Sequence, residues 1–330
     1  MLKTPTDLEQ LIHESLTQLG WDADAARVSA RLSRLNQGLP REDEFSVVCG
    51  WLGKCELIHK LDQKQTPKES SQKYQVPDLL AVFQVGERRV PVLVEVKSSK
   101  DNVLSFQPEY LDKLSTYAQL LKLPLLVAWK HYGLWTVFEP SKMRKAKQNF
   151  NIDFATAMSE NLLGTLAGDF SYSLCVGAGL HLRFRKEELL QTEKTEDGST
   201  EEWKMVCDDV YFTDGRLQVV RDLPCDVQAL FLTWDLQKKE EHSPTHITMS
   251  YVAENEHETA VFAHMALVRI LNWHLPSGDK IDWRGLLSQS RILHGVEDFA
   301  TAIREALQLG VVHNVLHQVP RTQAAFLMET

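Results

Sequence analysis

No two cysteines of this chain stand in a C-x-x-C spacing, and the five present, Cys49, Cys55, Cys175, Cys207 and Cys225, are odd in number and scattered. That pattern argues against a disulfide framework and against a structural zinc site, and it fits a reducing compartment. A run of apolar residues long enough to span a bilayer is also missing, and the N-terminus MLKTPTDLEQ lacks the basic-then-apolar pattern of a secretory signal. The expectation is a cytoplasmic protein with no membrane partner. Gly177 and Gly179 lack the third glycine and the following helix of a dinucleotide fingerprint, which rejects such a site. His242 and His246, and likewise His313 and His317, are four residues apart but lack the helix and intervening carboxylate of a metalloprotease pair, so they read as isolated surface or core histidines.

An excess of positive charge is missing as well. The formal net charge of −9 has the wrong sign for a protein that handles nucleic acid, unless the charge is unevenly spread. Residues 1–147 carry 21 Lys+Arg against 18 Asp+Glu, net +3, while the remainder carries 15 against 27, net −12. The first half therefore has the sign expected for contact with phosphates, and the acidic half is fitted to protein, a small ligand or solvent. A length of 330 residues, 43% hydrophobic and 25% charged, is ordinary for a soluble globular protein of two domains or one large one.

What is present centres on Pro77 to Lys100, PDLLAVFQVGERRVPVLVEVKSSK. Two apolar, β-branched runs, Leu79 to Val85 and Val90 to Val96, flank Gly86-Glu87 and predict a β-hairpin. A two-residue loop pairs Val85 with Arg88 and carries the register back until Asp78 faces Glu95. Directly opposed residues have Cβ atoms roughly 4.5–5.5 Å apart, so two carboxylates meet at the end of a hydrophobic hairpin. Like charges so placed repel unless a proton or a cation lies between them, and a divalent metal is the natural occupant of an all-oxygen site. Lys97 stands two residues beyond Glu95 on the same strand face.

Pro77-Asp78 followed by Glu95-Val96-Lys97 resembles the signature of the PD-(D/E)XK nuclease superfamily, and the ending Glu-Val-Lys-Ser-Ser-Lys looks like its archaeal Holliday-junction resolvase branch. The resemblance implies that Asp78 and Glu95 hold Mg²⁺, with Mn²⁺ as a substitute. It also implies that Val96 adds a backbone carbonyl and that Lys97 positions or activates the attacking water. A further metal ligand from the helix before the hairpin is implied too, with Glu44 the first candidate and Glu42 the next. The fold implied is a mixed α/β, restriction-endonuclease-like core over roughly residues 40 to 140.

Helical spacing predicts helices over Asp7 to Leu19 and over Trp21 to Leu35, the second carrying Arg27, Arg31 and Arg34 as a solvated face or a phosphate-contacting edge. A third helix is expected from Arg41 to Leu61, with Glu42, Asp43 and Glu44 in its first turn, where the helix dipole favours acids. Asp62 to Gln75 reads as a loop, as does Ser98 to Gln107, before an amphipathic helix over Pro108 to Leu121 with Leu111, Leu114, Ala118 and Leu121 inward. Leu123 to Trp129 and Gly133 to Phe138 read as strands. Lys100 and Lys113 are either phosphate contacts or solvated lysines. Lys142, Arg144, Lys145 and Lys147 form a basic run suited to backbone contact or to a linker. Lys113 also stands where the RecB-like exonuclease branch has Gln, one turn before Tyr117, which weakens that branch.

The expected division is a nuclease-like domain over residues 1–147 and an acidic α+β domain over 148–330. The second begins with a helical segment (Phe154 to Leu166) and an antiparallel sheet from Ser171 to Phe184 and Trp203 to Val220, with QTEKTEDGSTEE (Gln191 to Glu202) a charged hairpin loop or local disorder. Helices over His257 to Trp273, Trp283 to Gln289 and Val296 to Leu309, followed by β-prone runs at Gly310 to Val319 and Ala324 to Met328, suggest a winged-helix-like ending. The functional expectation is a metal-dependent DNA endonuclease of a resolvase, restriction-type or antiphage kind, able to form a homodimer, with a protein or small-molecule regulator at the acidic half. The alternative is a non-catalytic nucleic-acid or protein-binding module that keeps the nuclease fold.

Overall fold

The computed structural model describes residues 41–195, 198–254, 260–273, 281–287 and 290–328. The helices expected over Asp7 to Leu19 and Trp21 to Leu35 lie outside the described residues. The hairpin forms in the expected register. β2 (Leu79–Val85) and β3 (Arg88–Ser98) are joined by Gly86-Glu87, with Val85 opposite Arg88 and Leu79 opposite Val94. Gly86 has a φ of +62°, a left-handed backbone that glycine adopts without strain, so the loop sequence fixes the turn and the turn fixes the register.

The chain enters through helix α1, residues 41–51, and edge strand β1 (Cys55–Lys60), then a connection holding the one-turn helix α2 (Ser70–Lys73). β3 is the middle strand of a five-stranded sheet ordered β1, β2, β3, β5 (Leu125–His131), β6 (Leu134–Phe138). β3 and β5 run parallel and the other neighbours antiparallel, so a crossover must join them. It consists of β4 (Val103–Phe106) and α3 (Pro108–Leu121), the latter starting on a proline at a position where a missing N–H leaves nothing unsatisfied.

Alternation sorts the two faces of this sheet. Val92, Val94, Val96, Ala128 and Val137 point to one side, onto Phe45 and Val48 of α1 and Leu52 just after it. That core continues without a break into the C-terminal half through Leu163, Tyr172, Val227 and Ile303. Val127, Trp129 and Phe138 point to the other side, onto Leu111 of α3 and Leu104 and Phe106 of β4. Beyond residue 147, β8 (Asn149–Asp153) pairs with β4 and also with β7 (Arg144–Ala146).

Several local expectations are corrected. Arg41 to Leu61 is not one helix: α1 stops before Gly53, whose φ is 88°, and Cys55–Lys60 spends its amides on the edge of β2, a tertiary pairing that overrides helical spacing. Ser98 to Gln107 is not all loop, because β4 finds β8. The basic run after Lys142 is partly strand for the same reason. Leu121 is 45% exposed rather than inward, since α3 ends there and Lys122 turns left-handed at φ 56°. Phe154 to Leu166 divides into α4 (Phe154–Ser159), capped by Asp153 Oδ1 accepting from the Thr156 amide at 2.8 Å, and α5 (Leu163–Ala167).

The C-terminal half builds a second sheet from a long hairpin, β10 (Gly179–Thr195) and β11 (Gly198–Thr213), flanked by β12 (Val219–Val220) on one side and by β14 (His246–Val252) and β13 (Gln237–His242) on the other. The segment expected as a charged loop is mostly strand, with Gln191 opposite Glu202 and Thr195 opposite Gly198. After α6 (Cys225–Leu230), helix α7 spans Ala263–Trp273, α8 Trp283–Leu287 and α9 Ser290–Gln308. A three-stranded sheet is ordered β15 (Val261–Phe262), β9 (Ser171–Leu174), β16 (Val312–Leu316). The terminal hairpin on which a winged-helix-like ending would depend does not form: β16 pairs with β9, and Ala325–Met328 is helix α10.

A buried polar link ties the two halves. His264 at the start of α7 is bonded through Nδ1 to Asp169 Oδ2 at 2.7 Å, and its Nε2 accepts from the Trp135 amide of β6 at 3.2 Å. Because Nε2 accepts an N–H, the ring is the neutral tautomer that donates from Nδ1. His264→Ala leaves a buried amide and a buried carboxylate without this partner and is expected to destabilise the protein by about 2–4 kcal/mol. Denaturant unfolding at neutral pH checks this, and an unchanged midpoint refutes it.

Candidate active site

The site lies where β2 begins and β3 ends. Because β2 starts at Leu79, the ladder no longer reaches the Val96 amide, and the Asp78 carboxylate takes its place: Val96 N–H donates to Asp78 Oδ2 at 2.8 Å. Opposite it, Glu95 is 1% exposed. Its Oε1 accepts from Tyr110 Oη at 2.5 Å and from the Lys97 ammonium, while its Oε2 is buried with no hydrogen-bond partner. Lys97 Nζ lies 3.4 Å from the Tyr110 hydroxyl, and 5.3 and 5.8 Å from the ring centroids of Tyr110 and Phe106. Glu95 thus has one oxygen held by protein donors and a second, buried oxygen with none, and Asp78 is held through Oδ2.

The electrostatics match this geometry. Burial, and then the Glu95 charge, push the Asp78 carboxyl up to about 6, against the pull of Lys97, the Val96 amide and Lys60. Burial and the same Glu95 charge raise the Tyr110 hydroxyl, which keeps it a donor. Two facing carboxylates, with Glu95 Oε2 orphaned in the interior, fit a small oxygen-seeking dication that keeps most of its waters. Among the described residues no group of three or more His, Cys, Asp or Glu is gathered, so such an ion would be held by these two acids together with water or substrate oxygens.

Glu44 is not brought to the pair. It is 1% exposed and accepts from Arg41 at 2.9 Å, from Trp135 Nε1 at 3.2 Å and from the Lys130 ammonium. Those partners put it on the α1 face of the sheet, whereas Glu95 faces α3. Burial lowers the Lys130 pKa, opposed by Glu44. Glu42, two residues earlier on α1, has its carboxyl raised by burial, lowered by Lys60 at 3.0 Å and raised by the Asp78 charge. Lys60 also bonds Asp43 at 2.9 Å and neighbours the site from β1.

The expected phosphate contacts are dispersed. Lys100 is exposed just past β3, and Arg144 and Lys145 are exposed on edge strand β7. Lys113 pairs with Glu109 at 2.8 Å, one helical turn away. Tyr110 and Lys60 escaped the sequence reading. For Tyr110 a signal existed: it lies four residues before the inward Leu114 on the same helical face, on the first helix after the strand that carries Glu95. Lys60 had none, because its segment reads as helix.

A mixed sheet with helices on both faces, and with an acid, an acid and a lysine meeting at adjacent strand ends, resembles the core of the PD-(D/E)XK nucleases. Residues 65–169 match the family model of the archaeal Holliday junction resolvase (hjc). A similar solved structure is that of Archaeoglobus fulgidus Hjc, a Holliday junction resolvase from an archaeal hyperthermophile, 22% identical, covering 36% of this chain and 89% of that one, with a TM-score of 0.30. No curated protein matches the chain. Among the described residues, no helix is long and apolar enough to cross a membrane.

Proposed function

We propose that the protein is a metal-dependent endonuclease that hydrolyses phosphodiester bonds in DNA, with branched DNA the favoured substrate. The observation that carries this reading is the facing pair Asp78 and Glu95: the Lys97 ammonium bonds Glu95 Oε1, while the buried Glu95 Oε2 has no hydrogen-bond partner. A buried carboxylate oxygen without a donor is costly, and such a group in a native protein calls for a cation. The match of residues 65–169 to the junction-resolvase family supports DNA junctions as substrate. Mg²⁺ is the proposed ion, with Mn²⁺ a substitute, held by Asp78, Glu95 and the Val96 carbonyl. Of the α1 acids, Glu44 has its oxygens on Lys130, Arg41 and Trp135, and Glu42 is bonded to Lys60. When bound, the ion would polarise the scissile phosphate and acidify a water.

The chain's own groups have separate tasks in this reading. Asp78 and Glu95 supply negative oxygens at fixed positions. The Lys97 side chain, 31% exposed, reaches out of the site and can steady an attacking water or the charge that develops on the phosphate. Direct attack by water needs no covalent enzyme intermediate. Lys100, Arg144 and Lys145 are proposed to touch the DNA backbone, with Lys113 released from Glu109 as a further contact. Residues 1–147 would then cut, and the acidic residues 148–330 would direct the cut through a partner, a regulator or a second copy. A resolvase, restriction or antiphage role remains within this proposal.

A non-catalytic binding module is the second reading, favoured by the lack of a third acid at the pair among the described residues. One assay decides. The purified full chain is incubated with four-way junction, linear duplex, single strands, RNA and supercoiled plasmid, in Mg²⁺ or EDTA, beside Lys97→Ala. Cleavage in Mg²⁺ alone is expected, strongest on the junction, with Lys97→Ala slower by about 10²-fold or more. Intact substrates at low salt, or a mutant that cuts as fast as the parent, overturn the nuclease reading.

A further inference from the structure

We propose that Tyr110 is a positioning residue of this site. Its hydroxyl holds Glu95 so that Oε2 is the oxygen presented to the cation, and its ring steadies the Lys97 ammonium. The inference rests on the reading of Asp78, Glu95 and Lys97 given above.

A carboxylate rotates about a broad terminal torsion with two equivalent oxygens, so only donors on one oxygen can tell them apart. Glu95 Oε1 has two donors, Tyr110 Oη at 2.5 Å and the Lys97 ammonium. They are not equivalent. Lys97 is 31% exposed on a flexible stem and can leave Glu95 when a phosphate offers a better partner. Tyr110 cannot leave. It sits in the first turn of α3, next to the buried Leu111, with its ring edge-on to Phe106 at 5.8 Å between centroids. The hydroxyl therefore stays on Glu95 Oε1 throughout, and Lys97 is released for the reaction without loosening the acid. The outcome for the cation is a carboxylate whose free oxygen is already aimed, which is how groups behind metal ligands raise affinity.

The test is Tyr110→Phe in the full chain, which keeps the ring, its packing and its ring contact with Lys97 while deleting the hydroxyl that donates to Glu95 and lies 3.4 Å from Lys97 Nζ. Mn²⁺ binding to the DNA-free protein is measured by calorimetry, junction cleavage is measured at saturating DNA, and folding is followed by thermal melting. Loss of about 10-fold or more in Mn²⁺ affinity is expected, with a matching fall in cleavage rate. DNA affinity and the melting midpoint of the cation-free protein stay at parent values. Parent-like Mn²⁺ affinity overturns the proposal, and so does a parallel loss of DNA affinity and thermal stability, which marks a packing role. Glu95→Gln, run beside it, separates the two ideas. If Glu95→Gln binds Mn²⁺ as the parent does, the metal-site reading fails. If it loses Mn²⁺ while Tyr110→Phe keeps it, only the role of Tyr110 fails.

Discussion

Glu95→Gln is expected to lower the rate of junction cleavage by at least about 10³-fold, roughly 4 kcal/mol of transition-state stabilisation, while the protein stays folded. The substitution changes no volume and keeps an oxygen that can accept from Tyr110. What disappears is a charge that has one orphaned oxygen, is buried to 1% exposure, and holds the Lys97 ammonium. Any ion between the two strand ends would be left with Asp78 as its only carboxylate, and Lys97 would lose its ion pair. Both losses fall on the developing charge, so the effect belongs in the rate at saturating DNA rather than in DNA affinity. Single-turnover cleavage in Mg²⁺, with binding measured in Ca²⁺ or EDTA, separates the two. A variant that retains a tenth of the parent rate would sink the assignment of Glu95.

Asp78→Asn is expected to do the opposite to stability: inactive in cleavage, yet more stable than the parent in EDTA at neutral pH. The Asp78 carboxyl is raised from 3.8 to about 6 by burial and by Glu95, so the folded protein holds this proton more tightly than the unfolded chain does. Below pH 3.8 both states are protonated and nothing is lost. As pH rises through the interval up to about 6, the unfolded chain releases the proton first and the folded state loses stability. A shift of this size corresponds to about 3 kcal/mol by neutral pH, an upper figure for one group. Asparagine keeps an acceptor for the Val96 amide and removes the repulsion. Thermal melts in EDTA across this pH range should converge for parent and variant at the acid end and separate towards neutrality. Added Mg²⁺ should raise the parent selectively, because an ion that binds only the folded state stabilises it by mass action. Parallel melting curves at every pH would contradict this account of Asp78.

The opposed signs are informative together. A residue kept for the fold loses stability when it is changed, as His264 is expected to do. A residue kept for chemistry carries a cost in the empty site, as Asp78 is expected to do.

The residues that meet at the site were legible wherever the contact is local. Gly86-Glu87 allows a two-residue turn, the turn sets Val85 against Arg88, and strand alternation then puts Asp78 opposite Glu95 and Lys97 on the face of Glu95. The chain segment alone contains that information, because each step depends on the one before it along a single hairpin. α3 was legible to the residue, since Pro108 and the spacing of Leu111, Leu114 and Ala118 are local signals. Only the tertiary structure decided the rest. The choice between Glu42 and Glu44 depends on how α1 lies over the end of the sheet, with Lys130 and Trp135, 86 and 91 residues away, claiming Glu44. Cys55–Lys60 and Val103–Phe106 became strands because β2 and β8 offered them an edge. Ala325–Met328, with an apolar run suited equally to strand or helix, had its state set by what it packs against. Short apolar runs carry no period of their own, and partners distant in sequence supply the missing choice.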